Sequence, residues 1–243
     1  MAIIGLQGLR GGVGTTSVTT GLAWALQQLE ESVLVIDCSP DNMLRLFFNV
    51  EFTRPEGWAR ALLEKSAWTK TAWRYTSHLD ILPFGQLSRE EQQQLFAHPA
   101  YAQAAGQIID SLVSQNDWRW VLLDLPATDT PFTQALTARV DHHLVVVNPE
   151  MNCHVRLHQQ AVPDGSHILV NNLLVASQIQ DDIWQMWLKS QLALVPMVLH
   201  RDEAMGETLG AKQPVGEYRQ EALITEELNT LANWCLLNFS GSA

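Results

Sequence analysis

Residues 2–28 set the terms for the whole chain. The run AIIGL, Ala2 to Leu6, reads as a short apolar strand, and a few residues later come Gly11, Gly12 and Gly14. An amphipathic stretch follows at once and predicts a helix over Thr15 to Glu30. A strand that hands over to a helix through glycines fixes the direction of both, and the rest of the sequence repeats the pattern. Further strands are predicted at Ser32 to Asp37, Leu79 to Phe84, Trp120 to Asp124, His143 to Val147, His167 to Asn171 and Leu194 to Val198. Helices are predicted at Arg89 to Ser114, Asp129 to Arg139, Asn152 to Gln160, Gln180 to Lys189 and Glu221 to Leu237. This alternation predicts an α/β fold, a mostly parallel sheet with helices on both faces, as one domain over residues 1–243. Thr53 to His78 is the least regular stretch and reads as an insertion with short helices of its own.

Composition narrows the partners. With 243 residues and 47% hydrophobic content the chain can bury a sizeable core. A formal net charge of −11 repels nucleic acid and anionic lipid unless a basic patch compensates. The densest basic group, Arg45 to Arg74, is interleaved with acidic residues. Nine tryptophans fill the protein's own core or, as the alternative, enrich a protein-facing surface. The three cysteines have no C-x-x-C spacing, no apolar stretch is long enough to span a bilayer, and no charged leader precedes the first strand. A soluble, cytoplasmic protein without direct membrane insertion is the expectation.

In open parallel sheets ligands bind at the carboxyl ends of the strands, so the residues after each strand carry the chemistry. After the first strand, RGGVGTT places Gly11, Gly12 and Gly14 where backbone N–H groups turn toward an anion, with the dipole of the next helix behind them. Thr16 falls where a hydroxyl would ligate Mg²⁺. The second strand ends at Asp37, in VLVIDCSPDNMLRL; its carboxylate either serves the metal's outer shell or caps the loop. WRWVLLDLPAT ends its apolar run in Asp124, a carboxylate suited to hold a Mg²⁺ shell through water.

RGGVGTT resembles the deviant Walker A loop, K-G-G-x-G-K-S/T, of the MinD/ParA family of P-loop ATPases, in the SIMIBI class. The resemblance implies an ATP and Mg²⁺ site in which Arg10, Gly11, Gly12, Val13, Gly14, Thr15, Thr16 and Ser17 surround the phosphates. Thr16, Asp37 and Asp124 would then attend the metal, the two aspartates through water. Two departures stand out. Arg10 replaces the signature lysine, which in the family's dimers reaches the partner's nucleotide, and arginine keeps that charge. Thr15 replaces the lysine on the β- and γ-phosphates and does not. By the same resemblance the loop after Asp37 is switch I, and Ser39 stands where an aspartate orients the attacking water; Asp41 is a poorly spaced substitute. VVVNPE is similar to the family's T-N-P-E segment. Asn171, ending ILVNN, is the candidate reader of adenine, with a turn-forming Asn-Asn pair as the alternative. Pro196 to Asp202, including Arg201, is the exit expected to border the purine.

Stretches including SPDNMLRLFFNVEFT, GWARALL and HRDEAMGETLGAKQPVGEYR resemble the branch of this family that serves bacterial cellulose secretion. That resemblance implies a cytoplasmic accessory subunit that binds ATP as a face-to-face homodimer. It also implies pairing with two further components of the cellulose system, the small regulatory component R and component E, near the membrane-bound synthase. Recruitment through them to the inner-membrane face or cell pole would follow. Weak or absent hydrolysis is expected from Thr15 and Ser39, the alternative being an active MinD/ParA-type switch for positioning or partitioning. Three other readings meet obstacles. A metal enzyme built on Cys153, His154 and His158 has no evident further ligand. A MinD-like membrane oscillator needs a basic terminal helix, which LNTLANWCLLNFSGSA does not offer. A partitioning ATPase needs a basic DNA surface. A domain that has lost its nucleotide altogether is the remaining competitor.

Overall fold

A computed structural model describes residues 1–239 of the chain. Eight strands form one sheet: β1 Ala2–Gly8, β2 Val33–Asp37, β3 Trp73–Arg74, β4 Leu79–Leu82, β5 Trp120–Leu125, β6 His142–Val147, β7 His167–Leu173 and β8 Leu194–His200. Their spatial order is β3-β4-β2-β5-β1-β6-β7-β8, parallel throughout except for β3, which runs antiparallel to β4. The helices are α1 Thr15–Gln28, α2 Trp58–Glu64, α3 Arg89–Ala97, α4 Pro99–Gln115, α5 Pro131–Thr137, α6 Met151–Gln159, α7 Gln178–Leu188, α8 Glu203–Ala211, α9 Val215–Tyr218 and α10 Leu223–Phe239.

Both faces of the central strands β1, β2 and β5 are buried, which is why they read as unbroken apolar runs rather than alternating ones. Trp120 and Leu122 of β5 join Ile4, Leu6 and Val35 beneath α1 and α10. Their neighbours Val121 and Leu123 point the other way, into a second cluster with Ile36, Trp58, Ile108 and Phe132 from the side of α2 to α5. The predicted strand and helix series is present, with boundaries shifted by a few residues.

Three differences have clear causes. The single helix expected over Arg89 to Ser114 is two, because Pro99 cannot continue a helix and holds His98 in an extended conformation (φ −97°, ψ 117°). Pro99 instead opens α4, with the His98 ring accepting from the Ala100 N–H at 3.3 Å. The stretch after β8, expected only as a strand exit, contains α8 and α9. Residues 53–78 do carry short helical turns, yet they are not a loose insertion. Trp58 is fully buried and stacks on Phe132 with ring centroids 5.7 Å apart, and its Nε1 donates to the Asp37 carbonyl at 2.8 Å.

No helix among the described residues is long and apolar enough to cross a membrane. Residues 240–243, the last four of LNTLANWCLLNFSGSA, lie outside the described part.

The entry into α2 depends on one close approach. A Cβ on Gly57 would lie 2.1 Å from the Gly85 nitrogen and 2.3 Å from the Phe84 carbonyl carbon, backbone atoms that cannot step aside. Gly57→Ala is therefore expected to cost about 1–3 kcal/mol through overpacking, read as a lower urea midpoint with an unchanged slope.

Candidate functional site

The carboxyl end of β1 and the start of α1 build a loop held from several sides. Leu9 N–H donates to the Val146 carbonyl at 3.1 Å, and Val13 is fully buried beneath the loop. Gly14 takes φ +90°, and a Cβ there would come within 2.6 Å of the Asn171 amide nitrogen. A Cβ on Gly11, by contrast, would meet nothing within 4 Å, because it would point into open space. Gly11 also borders a cleft of about 210 Å³ lined by Arg10, Gly11 to Ser17 except Val13, Ser39, Asp41, Asp124 and the start of the loop after β5. Its size suits a polyphosphate more than a whole nucleotide, so a base and sugar would extend outside it.

Two carboxylates form its floor. Asp37 and Asp124 are register partners on adjacent strands, and both are buried. Asp124 Oδ2 accepts from the Thr16 hydroxyl at 2.7 Å and Oδ1 from the Thr19 hydroxyl at 3.3 Å. Asp37 accepts from the Ser39 and Leu44 N–H groups at 2.9 and 3.3 Å, so the loop-capping role expected for it is real. Among the described residues neither carboxylate forms an ion pair. Burial, and then the charge of Asp124, pushes Asp37 well above the usual carboxylate range. Burial likewise raises Asp124 to about 7 against the opposing hydroxyl bonds. A hydroxyl that donates to Asp124 keeps its lone pairs for the cleft, and a buried carboxylate pair without a cation favours binding a divalent one. Thr16 with Asp124 therefore fits Mg²⁺, with Asp37 behind them.

The loop after Asp37 is fixed in place. The buried Arg45 guanidinium donates to the carbonyls of Asn42 at 3.2 Å and Phe52 at 3.0 Å, while the Asn42 side chain accepts from Gly85 N–H at 3.1 Å. Ser39 and Asp41 both reach the cleft wall, and Asp41 N–H donates weakly to the Ser39 hydroxyl at 3.4 Å. Thr15 also lines the cleft, but its hydroxyl turns back: it lies 2.6 Å from where a Gly8 Cβ would be.

The remaining predicted residues separate into three groups. Asn171 is brought to the loop, where its Nδ2 donates to the Val13 carbonyl at 2.8 Å, leaving one further N–H and the oxygen for other contacts. Arg201 and Asp202 follow the carboxyl end of β8; Arg201 is exposed, and Asp202 caps α8 by accepting from Ala204 N–H at 2.9 Å. Pro196 is not brought to the site. It lies in the first half of β8, at a register irregularity on the edge strand, where a missing N–H is harmless, and the strand continues to His200.

Glu150 and Asn148 join the site without having been expected there, although VVVNPE puts both directly after β6. Glu150 accepts from Arg10 Nε at 2.7 Å, and Arg10 also donates to the Gly11 carbonyl at 2.6 Å. With its amide nitrogen facing the loop, Asn148 donates to the Val13 and Asn171 carbonyls at 3.2 Å. The metal-enzyme reading of α6 fails on geometry: Cys153 is buried, His154 Nδ1 accepts from Trp187 Nε1 at 3.1 Å, and no metal-holding group of three assembles among the described residues.

The raised carboxylates give a pH signature. A carboxylate whose folded-state pKa is above its unfolded value adds stability below the unfolded value, near 4, and loses it as pH rises through the folded one. For Asp124 that loss runs up to about pH 7. In metal-free, nucleotide-free protein, Asp124→Asn should melt close to wild type at about pH 4 and above it at pH 8, by calorimetry; a variant less stable at both would show that burial of the charge is not what raises this group.

Comparison with known proteins agrees with this architecture. The chain resembles a MinD protein of Pyrococcus horikoshii solved with Mg-ADP, at 20% identity and a TM-score of 0.76, covering 100% of this chain and 99% of the other. It is 56% identical to a cellulose biosynthesis protein BcsQ of Escherichia coli K12, over 99% of this chain and 96% of the relative, and 54% identical to one of Salmonella typhi with the same coverage. The family model described as cellulose biosynthesis protein BcsQ matches residues 1–236, and the chain belongs to that family, on a MinD/ParA-like P-loop fold.

Proposed function

We propose that this protein is an ATP-binding accessory subunit of the cellulose synthesis and secretion system, in which ATP·Mg²⁺ acts as a structural ligand and is turned over slowly or not at all. One observation carries the reading: the cleft keeps its glycine cradle, Thr16 and Asp124, while the Thr15 side chain lining it carries no charge and position 39 offers a neutral hydroxyl. Losing one charge-assisted bond to phosphate costs about 1.5–3 kcal/mol of binding, which backbone N–H groups and metal can offset. Losing a positioned charge in phosphoryl transfer costs on the order of 10²–10³ in rate, and two such parts are missing here. A serine hydroxyl is no base at neutral pH.

The filled site would form the seam of a homodimer, with Arg10 crossing to the partner's nucleotide. Its present contact with Glu150 is an ion pair with both side chains about one-quarter to one-third exposed, worth about 0–1 kcal/mol, so a phosphate oxygen can displace it. Asn171, Arg201 and Asp202 would lie toward the base. The dimer would then present a surface to the cellulose-system components R and E beside the membrane-bound synthase.

Native mass spectrometry with nucleotide extraction tests this: a dimer carrying ATP is expected, and Thr15→Lys alone should restore little turnover because Ser39 remains. A nucleotide-free protein, or full ATPase activity from that single change, would refute it. Gly11→Ala should separate holding from folding. Its methyl meets no protein atom within 4 Å on a residue that lines the cleft, so the melting temperature should stay at the wild-type value while ATP is lost from the purified protein, as read by absorbance of the extract.

A further inference from the structure

At the outer edge of the sheet the chain builds an aromatic, basic corner that the nucleotide cleft does not use. β3, two residues long, is the terminal strand; it pairs with β4 on one side, and among the described residues no strand pairs with its other edge. Beside it is a cleft of about 370 Å³ whose walls include Trp68, Trp73, Trp118 and Leu112. Trp118 and Gln115 precede β5, and none of the residues lining this cleft lines the phosphate cradle, so the two are separate. Trp73 separates this cleft from a second hollow of about 230 Å³ that Arg54 and Lys70 line. The indole is 39% exposed, and the Arg54 guanidinium lies over it, 5.1 Å from the ring centroid.

The charge here opposes that of the rest of the molecule. Residues 53–78 hold five Lys and Arg against two Glu, in a chain of net charge −11. Arg60 pairs with Glu64, and Arg74 holds Asp80 through two bonds of 2.9 and 3.1 Å. Asp80 also accepts from Trp118 Nε1 at 2.9 Å, so the carboxylate within the aromatic cleft is already satisfied. Arg54, Lys65 and Lys70 are exposed and form no ion pair among the described residues. Glu56 is the one carboxylate lining the second hollow, against two cations.

We propose that this corner is a docking groove for an acidic, extended segment of a partner protein. The segment's backbone adds to the open edge of β3, an apolar side chain enters the cleft between Trp68, Trp73 and Trp118, and its carboxylates meet Arg54 and Lys70. Strand addition supplies main-chain bonds while alternate side chains supply selectivity, and tryptophan and arginine are the residue types that concentrate binding energy. Local charge complementarity, Arg54 and Lys70 against the single Glu56, selects a carboxylate-bearing segment as the occupant. The groove does not depend on nucleotide, so it stands or falls separately from the proposed ATP site.

The test uses the full chain, with and without ATP·Mg²⁺, and two fluorescein-labelled peptides, one alternating Glu with Leu and one alternating Lys with Leu. Fluorescence anisotropy should show binding of the acidic peptide only, weakened by salt. Lys70→Glu, at an exposed side chain, should weaken it about tenfold without moving the melting temperature, and Trp73→Ala should weaken it by a similar factor in protein shown by circular dichroism to be folded. No binding of the acidic peptide, equal binding of the basic one, or binding that survives both substitutions would overturn the proposal. So would a change in self-association on these substitutions by sedimentation velocity, since the occupant would then be a second copy.

Discussion

Two buried carboxylates, side by side on neighbouring strands, organise the region around the cleft. Asp124 accepts from Thr16 and Thr19 and so ties the first turn of α1 to β5; Asp37 accepts from two backbone N–H groups and so shapes the loop that follows β2. Neither can ionise cheaply without a cation, because burial raises both and Asp124 opposes the charge of Asp37. A divalent cation would favour the ionised pair. The same two carboxylates would thus serve both the cation and the hydrogen bonds that set the walls of the cleft.

That dependence bears on what the departures from the usual ATPase pattern do. Holding phosphate draws on many small contributions: glycine N–H groups, a helix N-terminus, a hydroxyl, a metal and a nearby arginine. Removing one leaves the others. Turnover draws on a few charges placed where negative charge develops, and each is worth orders of magnitude in rate. On the proposed reading, Thr15 and Ser39 in place of a lysine and an aspartate would weaken turnover far more than binding. The loop that would have to move in a switch is also stapled, with the buried Arg45 guanidinium spread over carbonyls at both of its ends.

Much of this is legible in the sequence because parallel sheets bury both faces of their strands and place chemistry at one end. Apolar runs mark the strands, and the residues after them mark Thr16, Asp37 and Asp124. What is illegible depends on contacts between distant segments. Nothing local says that Glu150 turns to Arg10, or that Trp58 leaves an irregular stretch to stack on Phe132 and donate to the Asp37 carbonyl. Pro196 lies within β8 rather than at its exit, because proline does not end an edge strand, where it costs no ladder bond. The break at Pro99 is readable from proline chemistry, and helical periodicity on either side of it conceals it. The basic corner is visible only as scattered cations; the fold gathers them around Trp73.

The most direct test is the chemical state of bound nucleotide over time. Purified protein loaded with radiolabelled ATP and Mg²⁺, freed of excess ligand and sampled over hours, should retain the label as ATP on the protein. Conversion to ADP with phosphate release at the pace of an ordinary member of the ATPase family would contradict a site that holds its nucleotide without spending it.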